Sequence, residues 1–166
     1  MNTYIGTKLV EAEPVYRCID GRWNVSFIRD PEKAFPCYPS VEEGYRILYP
    51  DGYESWCPKE TFDRYYLQLT PNSEAKTDQP SISQKMVDDF IAETWTDTLG
   101  EKTTVVRAVL QNGFEIVESS SCVSPENYDE IVGRNICLEK IKDKIWTLLG
   151  FLLQTAVNGC NRKSME

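Results

Sequence analysis

Residues 103–149, TTVVRAVLQNGFEIVESSSCVSPENYDEIVGRNICLEKIKDKIWTLL, decide the fold. Two apolar runs, Thr103 to Leu110 and Phe114 to Ser121, flank Asn112-Gly113, a pair that favours a two-residue hairpin turn. That turn predicts a register with Gln111 opposite Phe114, Val109 opposite Ile116, Arg107 opposite Glu118 and Val105 opposite Ser120. One face of the hairpin then carries Phe114, Arg107, Glu118 and Ser120.

Downstream, Ser124-Pro125-Glu126 reads as a helix start, with a serine able to cap and a proline where no N–H is needed. The pattern predicts a short helix to Gly133 and a longer one from Asn135 to Val157, ended by a left-handed cap at Asn158-Gly159. The long helix is apolar at Ile136, Ile141, Ile145, Leu148, Leu149 and Leu152, and its second half is apolar nearly all round. A short sheet cannot cover that surface, so a homo-oligomer, dimer or hexamer, is expected; coverage by the amino-terminal module is the alternative. Upstream, Ser81 and Gln84 fit a capping box opening a helix from Ser83 to Thr94, followed by a strand from Thr96 to Leu99.

Residues 71–80, PNSEAKTDQP, are polar and bracketed by prolines, the composition of an interdomain linker. Before it, residues 1–70 form a small β-rich module. Strand candidates run from Tyr4 to Val15 and from Trp23 to Ile28, and Tyr45 to Trp56 form a hairpin around Asp51-Gly52 with the same primed turn. Pro58 opens a short helix, and residues 29–44 are a surface loop. The module's aromatics, among them Tyr16, Trp23, Phe27, Tyr45, Tyr49, Tyr53, Trp56 and Phe62, fill its interior. The expected class is α+β: the β-rich module, the linker, an αββ(β)αα domain over 81–158 with a long carboxy-terminal helix, and a tail at 159–166.

At 166 residues and 41% hydrophobic content the chain is globular, and its net charge of −8 disfavours binding to long nucleic acid. With no histidine, the commonest general base and metal ligand is missing; no cofactor motif or metal spacing stands out. The six cysteines include no CxxC pair and read as scattered reduced thiols of a cytosolic protein without a signal peptide. Residues 145–157 are too short for a membrane span, which needs about 20 residues.

An aromatic beside a guanidinium can stack a purine, and a carboxylate can accept from ribose or base donors. Phe114, Arg107 and Glu118 supply those groups; the plainer reading is a cross-strand Arg107 to Glu118 ion pair with Phe114 in the core. The run ESSSCVSPEN leads from a strand into a helix, so Ser119, Ser120, Ser121 and free helix N–H groups could hold a phosphate. Arg134 and Lys140 could add charge; Lys142 and Lys144 read as a solvated face. Cys122, with no histidine to ionise it, reads as a structural cysteine rather than a nucleophile.

The blocks NGF, VESS with a nearby cysteine, and ICxxxIKxKIW running into Leu-Gln resemble the first family of phage Thoeris anti-defence proteins, over residues 81–155. The segments YIGTKLVE and GYRILYPDGYESWCPKETF resemble another small phage module of unknown role. The first resemblance implies an oligomeric, non-catalytic sponge in the host bacterial cytoplasm. It would bind a cyclic ADP-ribose-type nucleotide such as glycocyclic ADP-ribose and so relieve TIR-driven Thoeris immunity. Related proteins also capture CBASS cyclic oligonucleotides at a separate site. The family's adenine lies between an aromatic, here Phe114, and an arginine replaced here by Lys140, a poorer flat partner for which Arg107 or Arg134 could substitute. Two other classes stay open: a phage inhibitor of a host protein acting through the aromatic amino-terminal surface, and a nucleotide-cleaving enzyme.

Overall fold

The computed structural model describes residues 1–3, 5–19, 25–34, 40–76 and 78–160. The chain divides into two units, Met1–Gln68 and Leu69–Glu166. The first is an antiparallel sheet in the order β2-β1-β3-β4, from β1 (Glu11–Ile19), β2 (Val25–Ile28), β3 (Ser40–Leu48) and β4 (Glu54–Pro58). A one-turn helix, α1 (Pro31–Ala34), interrupts the expected 29–44 loop, and residues from Ser40 already belong to β3. Trp23 lies outside the described residues. The strand expected from Tyr4 begins only at Glu11.

Helix α2 (Lys59–Tyr65) follows Pro58 and lays Phe62 on one face of this sheet, stacked 4.0 Å from Tyr45 and 4.4 Å from Tyr66. On the opposite face the Arg17 guanidinium lies 3.8 Å over the Trp56 ring. The expectation that the aromatics fill the interior is met only in part: Tyr45 and Phe62 are half-buried in the stack, and Phe27 and Tyr53 are exposed. Four strands and two short helices offer too little interior for every ring.

The second unit contains α3 (Gln84–Asp89), β5 (Ile91–Leu99), β6 (Thr103–Leu110), β7 (Glu115–Ser121), a 3-10 turn at Pro125–Asn127, and α4 (Glu130–Asn158). Its sheet is antiparallel, ordered β5-β6-β7. Residues 69–83 are tied to its start: Asn72 Nδ2 donates to Ile82 O at 2.8 Å, and the Thr70 and Ser83 hydroxyls are 2.5 Å apart. Ser83, not Ser81, caps α3, accepting from Met86 N at 3.3 Å. The helix stops at Asp89 and the chain is extended from Ile91, where the helical reading ran to Thr94. Met86, Val87, Phe90 and Ile91 fit a helical period, but Gln111 N donates to Phe90 O at 3.0 Å and draws the chain into the sheet.

The core lies between this sheet and α4. Val106, Ala108, Leu110 and Ile116 face Cys137, Ile141, Ile145 and Leu149, with Met86 and Val87 closing one end. The buried helical positions follow one i+4 ridge, the row along which helix surfaces pack. Burial raises the pKa of the Cys137 thiol. Helix α4 is continuous where two helices were expected: Asp129 Oδ1 caps it through Ile131 N and Val132 N, and Gly133 sits inside it. Gly159 closes it at φ 77°. At 29 residues it is about 43 Å long, against about 27 Å for an eight-residue strand, so much of it overhangs the sheet. Leu148, Phe151, Leu152 and Val157 are exposed there.

Helix α3 is held to α4 by Lys142 Nζ, 3.0 Å from Asp88 Oδ1. The hydrogen bond from Lys142, helped by one from Gln84, keeps the Asp88 carboxyl below its ordinary value of 3.8. A depressed folded pKa gives stability that is present above the unfolded value and lost as pH falls through the folded one. Melting temperature is therefore expected to drop below about pH 4, and less steeply in Asp88→Asn. Equal acid slopes for the two proteins would dismiss this tie.

Candidate ligand-binding site

The β6–β7 turn differs from the one expected. Gly113 N donates to Leu110 O at 2.8 Å and Leu110 N to Phe114 O at 2.8 Å, so Gln111, Asn112 and Gly113 form a three-residue loop with Gly113 at φ 81°. The turn at Pro50-Asp51-Gly52 has the same two bonds, at 2.9 Å each, and Gly52 at φ 82°. In both, an Asx side chain accepts from the N–H two residues on: Asp51 from Tyr53 at 3.1 Å, Asn112 from Phe114 at 3.0 Å. That local bond favours the three-residue form over the primed two-residue one.

One added loop residue shifts the register by one. Arg107 is opposite Val117, Val106 opposite Glu118, Ala108 opposite Ile116 and Val105 opposite Ser119. A one-residue shift moves side chains to the other face. Glu118 and Ser120 therefore lie on the helix side with the core residues, while Arg107, Ser119 and Ser121 lie on the open side. The expected single face carrying Phe114, Arg107, Glu118 and Ser120 is not formed.

Each group has a definite surrounding. Arg107 is paired with Glu115, donating from Nε at 2.8 Å and from a second guanidinium nitrogen. That bond lowers the Glu115 pKa and raises that of Arg107. Glu118 is mostly shielded, its side chain 16% exposed, and it pairs with Lys144 rather than Arg107. Lys140 Nζ donates to Ser119 O at 2.8 Å, on the rim of edge strand β7. The Ser121 hydroxyl is 2.9 Å from that of Thr103. Arg134 is half-buried and makes no ion pair among the described residues. Phe114 stands at the turn with 55% of its surface exposed, so the reading that placed it in the core does not hold.

Six strand residues at about 3.3 Å each separate Phe114 from Ser120, roughly 20 Å. Phe114 therefore sits at one end of β7, and the Ser120-Ser121 pair at the other. At that second end the Tyr128 hydroxyl lies 2.6 Å from Thr98 Oγ1 and 3.1 Å from Thr104 Oγ1. The Cys122 thiol donates to Ser124 O at 3.1 Å, engaged in the turn. A separate cavity of about 330 Å³ is lined by Leu69–Asn72, Ala75 and Asp78–Ser81, and holds none of the eight candidate residues.

Sequence reasoning missed Trp95, which lies beside Arg107 on the open face and is 55% exposed. The helical reading ended at Thr94 and the strand reading began at Thr96, which left Trp95 in neither, although the alternation Thr94-Trp95-Thr96-Asp97-Thr98 is that of a strand. Among the described residues no group of three or more acidic or cysteine side chains could hold a metal ion, and no helix is long and apolar enough to cross a membrane.

Residues 82–157 match the phage protein (N4 Gp49/phage Sf6 gene 66) family. No curated protein and no solved structure matches the chain.

Proposed function

We propose, for a chain whose second unit matches a phage protein family, a sponge that binds a cyclic ADP-ribose-type nucleotide without cleaving it and so blunts TIR-generated Thoeris signalling in the host cytoplasm. The observation that carries this reading is the exposed ring of Phe114, held at a turn fixed by backbone bonds and by Asn112 rather than by packing of the ring itself. An uncovered aromatic on a fixed backbone offers a stacking face to a base, worth about 1–3 kcal/mol.

Sequestration at nanomolar concentration requires about 12 kcal/mol, and a small ligand reaches that only in an enclosed pocket. One copy leaves Phe114 open, with the serines about 20 Å away along β7. A second copy would bring the other end of its β7, with Ser119 and Ser121 on the open face and Lys140 at the strand edge, to the ring of the first. The overhanging apolar part of α4 supplies a surface for that association.

The test mixes the protein with glycocyclic ADP-ribose, removes unbound nucleotide, heats the complex and chromatographs the supernatant. Release of unaltered nucleotide is expected. A changed nucleotide would make the protein an enzyme. No uptake would favour inhibition of a host protein, for which the exposed Tyr53 and Tyr65 of the first unit offer a surface.

A further inference from the structure

The face of the β5–β6–β7 sheet turned away from α4 sets apolar side chains around Arg107, with carboxylates at Glu93, Asp97 and Glu115. Trp95, Leu99, Val105, Val109 and Val117 alternate with the residues that face the helix. Trp95, Leu99 and Val117 are exposed. An exposed tryptophan among polar neighbours on a solvated sheet face is surface available to a partner.

The charges around the patch do not balance. Arg107 is the cation of the central row, and Glu115 already holds it through two guanidinium nitrogens. Glu93 and Asp97 flank Trp95 at alternate positions on β5, so all three side chains share the open face. Neither carboxylate is ion-paired among the described residues; Asp97 accepts only from Thr98 N, at 2.8 Å, and Glu93 acts on Arg107 electrostatically without a hydrogen bond. An indole between two such carboxylates is a receptor for an ammonium or guanidinium group, and the neighbouring valines suit apolar side chains on either side of that cation.

We infer that this open face docks a basic, extended segment of another protein, with a lysine or arginine seated over Trp95 between Glu93 and Asp97. The inference does not rest on the nucleotide reading. Charge complementarity selects the partner: Glu93, Asp97 and Glu115 against Arg107, the cross-strand neighbour of Trp95, leave the strand residues of this face with a net charge of −2, which attracts a cationic chain and repels an acidic one.

The test measures fluorescence anisotropy of a labelled peptide of alternating lysine and valine, and of its glutamate–valine counterpart, with the full chain. Binding of the basic peptide only is expected. Trp95→Ala and the double variant Glu93→Gln/Asp97→Asn should each weaken it about tenfold, while Glu139→Gln, which removes an exposed carboxylate of α4, should leave it unchanged. These are exposed positions, and circular dichroism checks the fold; should Trp95→Ala fail to fold, the carboxylate pair decides. Wild-type affinity in the carboxylate variant, or an equal loss in Glu139→Gln, would overturn the inference by reducing it to general attraction to an acidic protein. A change in the number of subunits per assembly for Trp95→Ala would overturn it by giving the face to a second copy.

Discussion

Gly133→Ala is expected to destabilise the second unit by about 2–4 kcal/mol, although alanine is the better helix former by about 1 kcal/mol. A Cβ at Gly133 would stand 2.1 Å from Thr104 Oγ1 and 2.7 Å from Thr104 Cβ. Thr104 cannot yield easily: it is 0% exposed, in the central strand, and its hydroxyl lies 3.1 Å from that of Tyr128. Overpacking of this kind costs about 1–3 kcal/mol, and separating the two hydroxyls adds about 1–3 more before the propensity gain is subtracted. For a unit of this size the melting temperature should fall by roughly 10–25 °C. A Gly133→Ala protein melting at or above the parent would show that α4 does not press on β6 at this point.

Phe114→Ala is expected to weaken uptake of glycocyclic ADP-ribose by roughly 10- to 100-fold while leaving the melting temperature nearly unchanged and the number of subunits per assembly the same. The turn is held by Leu110, Gly113 and the Asn112 side chain, each bond ending on backbone that alanine also has. Little buried area is lost, since more than half of the ring already faces solvent. Calorimetric titration separates the effects: a loss confined to affinity assigns the ring to the ligand, and unchanged affinity removes it from the site.

The strand Thr103–Leu110, the long carboxy-terminal helix and its glycine stop were legible because hydrophobic period and local capping agree there. The site was less so, for two identifiable reasons. Asn112-Gly113 signals a hairpin but not the loop length; here the Asx oxygen reaches the N–H of Phe114 and draws Gln111 into the loop, exchanging Glu118 for Val117 opposite Arg107. Gly133 signals a helix break in any local reading, yet it is a contact residue, and the neighbour that requires it is 29 positions earlier in sequence. Lys144, read as a solvated charge, turned out to neutralise Glu118, a pairing set by how α4 lies across β7.

The two matching turns also bear on how this protein ages. Asparagine and aspartate before glycine rearrange when the following backbone nitrogen attacks the side-chain carbonyl carbon and closes a succinimide ring. In both turns that nitrogen is occupied, Gly113 N with Leu110 O and Gly52 N with Tyr49 O, and the side-chain oxygen is held by the next N–H along. The folded chain thus restrains deamidation at Asn112 and isomerisation at Asp51, so spontaneous chemical damage at these sequences becomes a clock that runs mainly while the protein is unfolded.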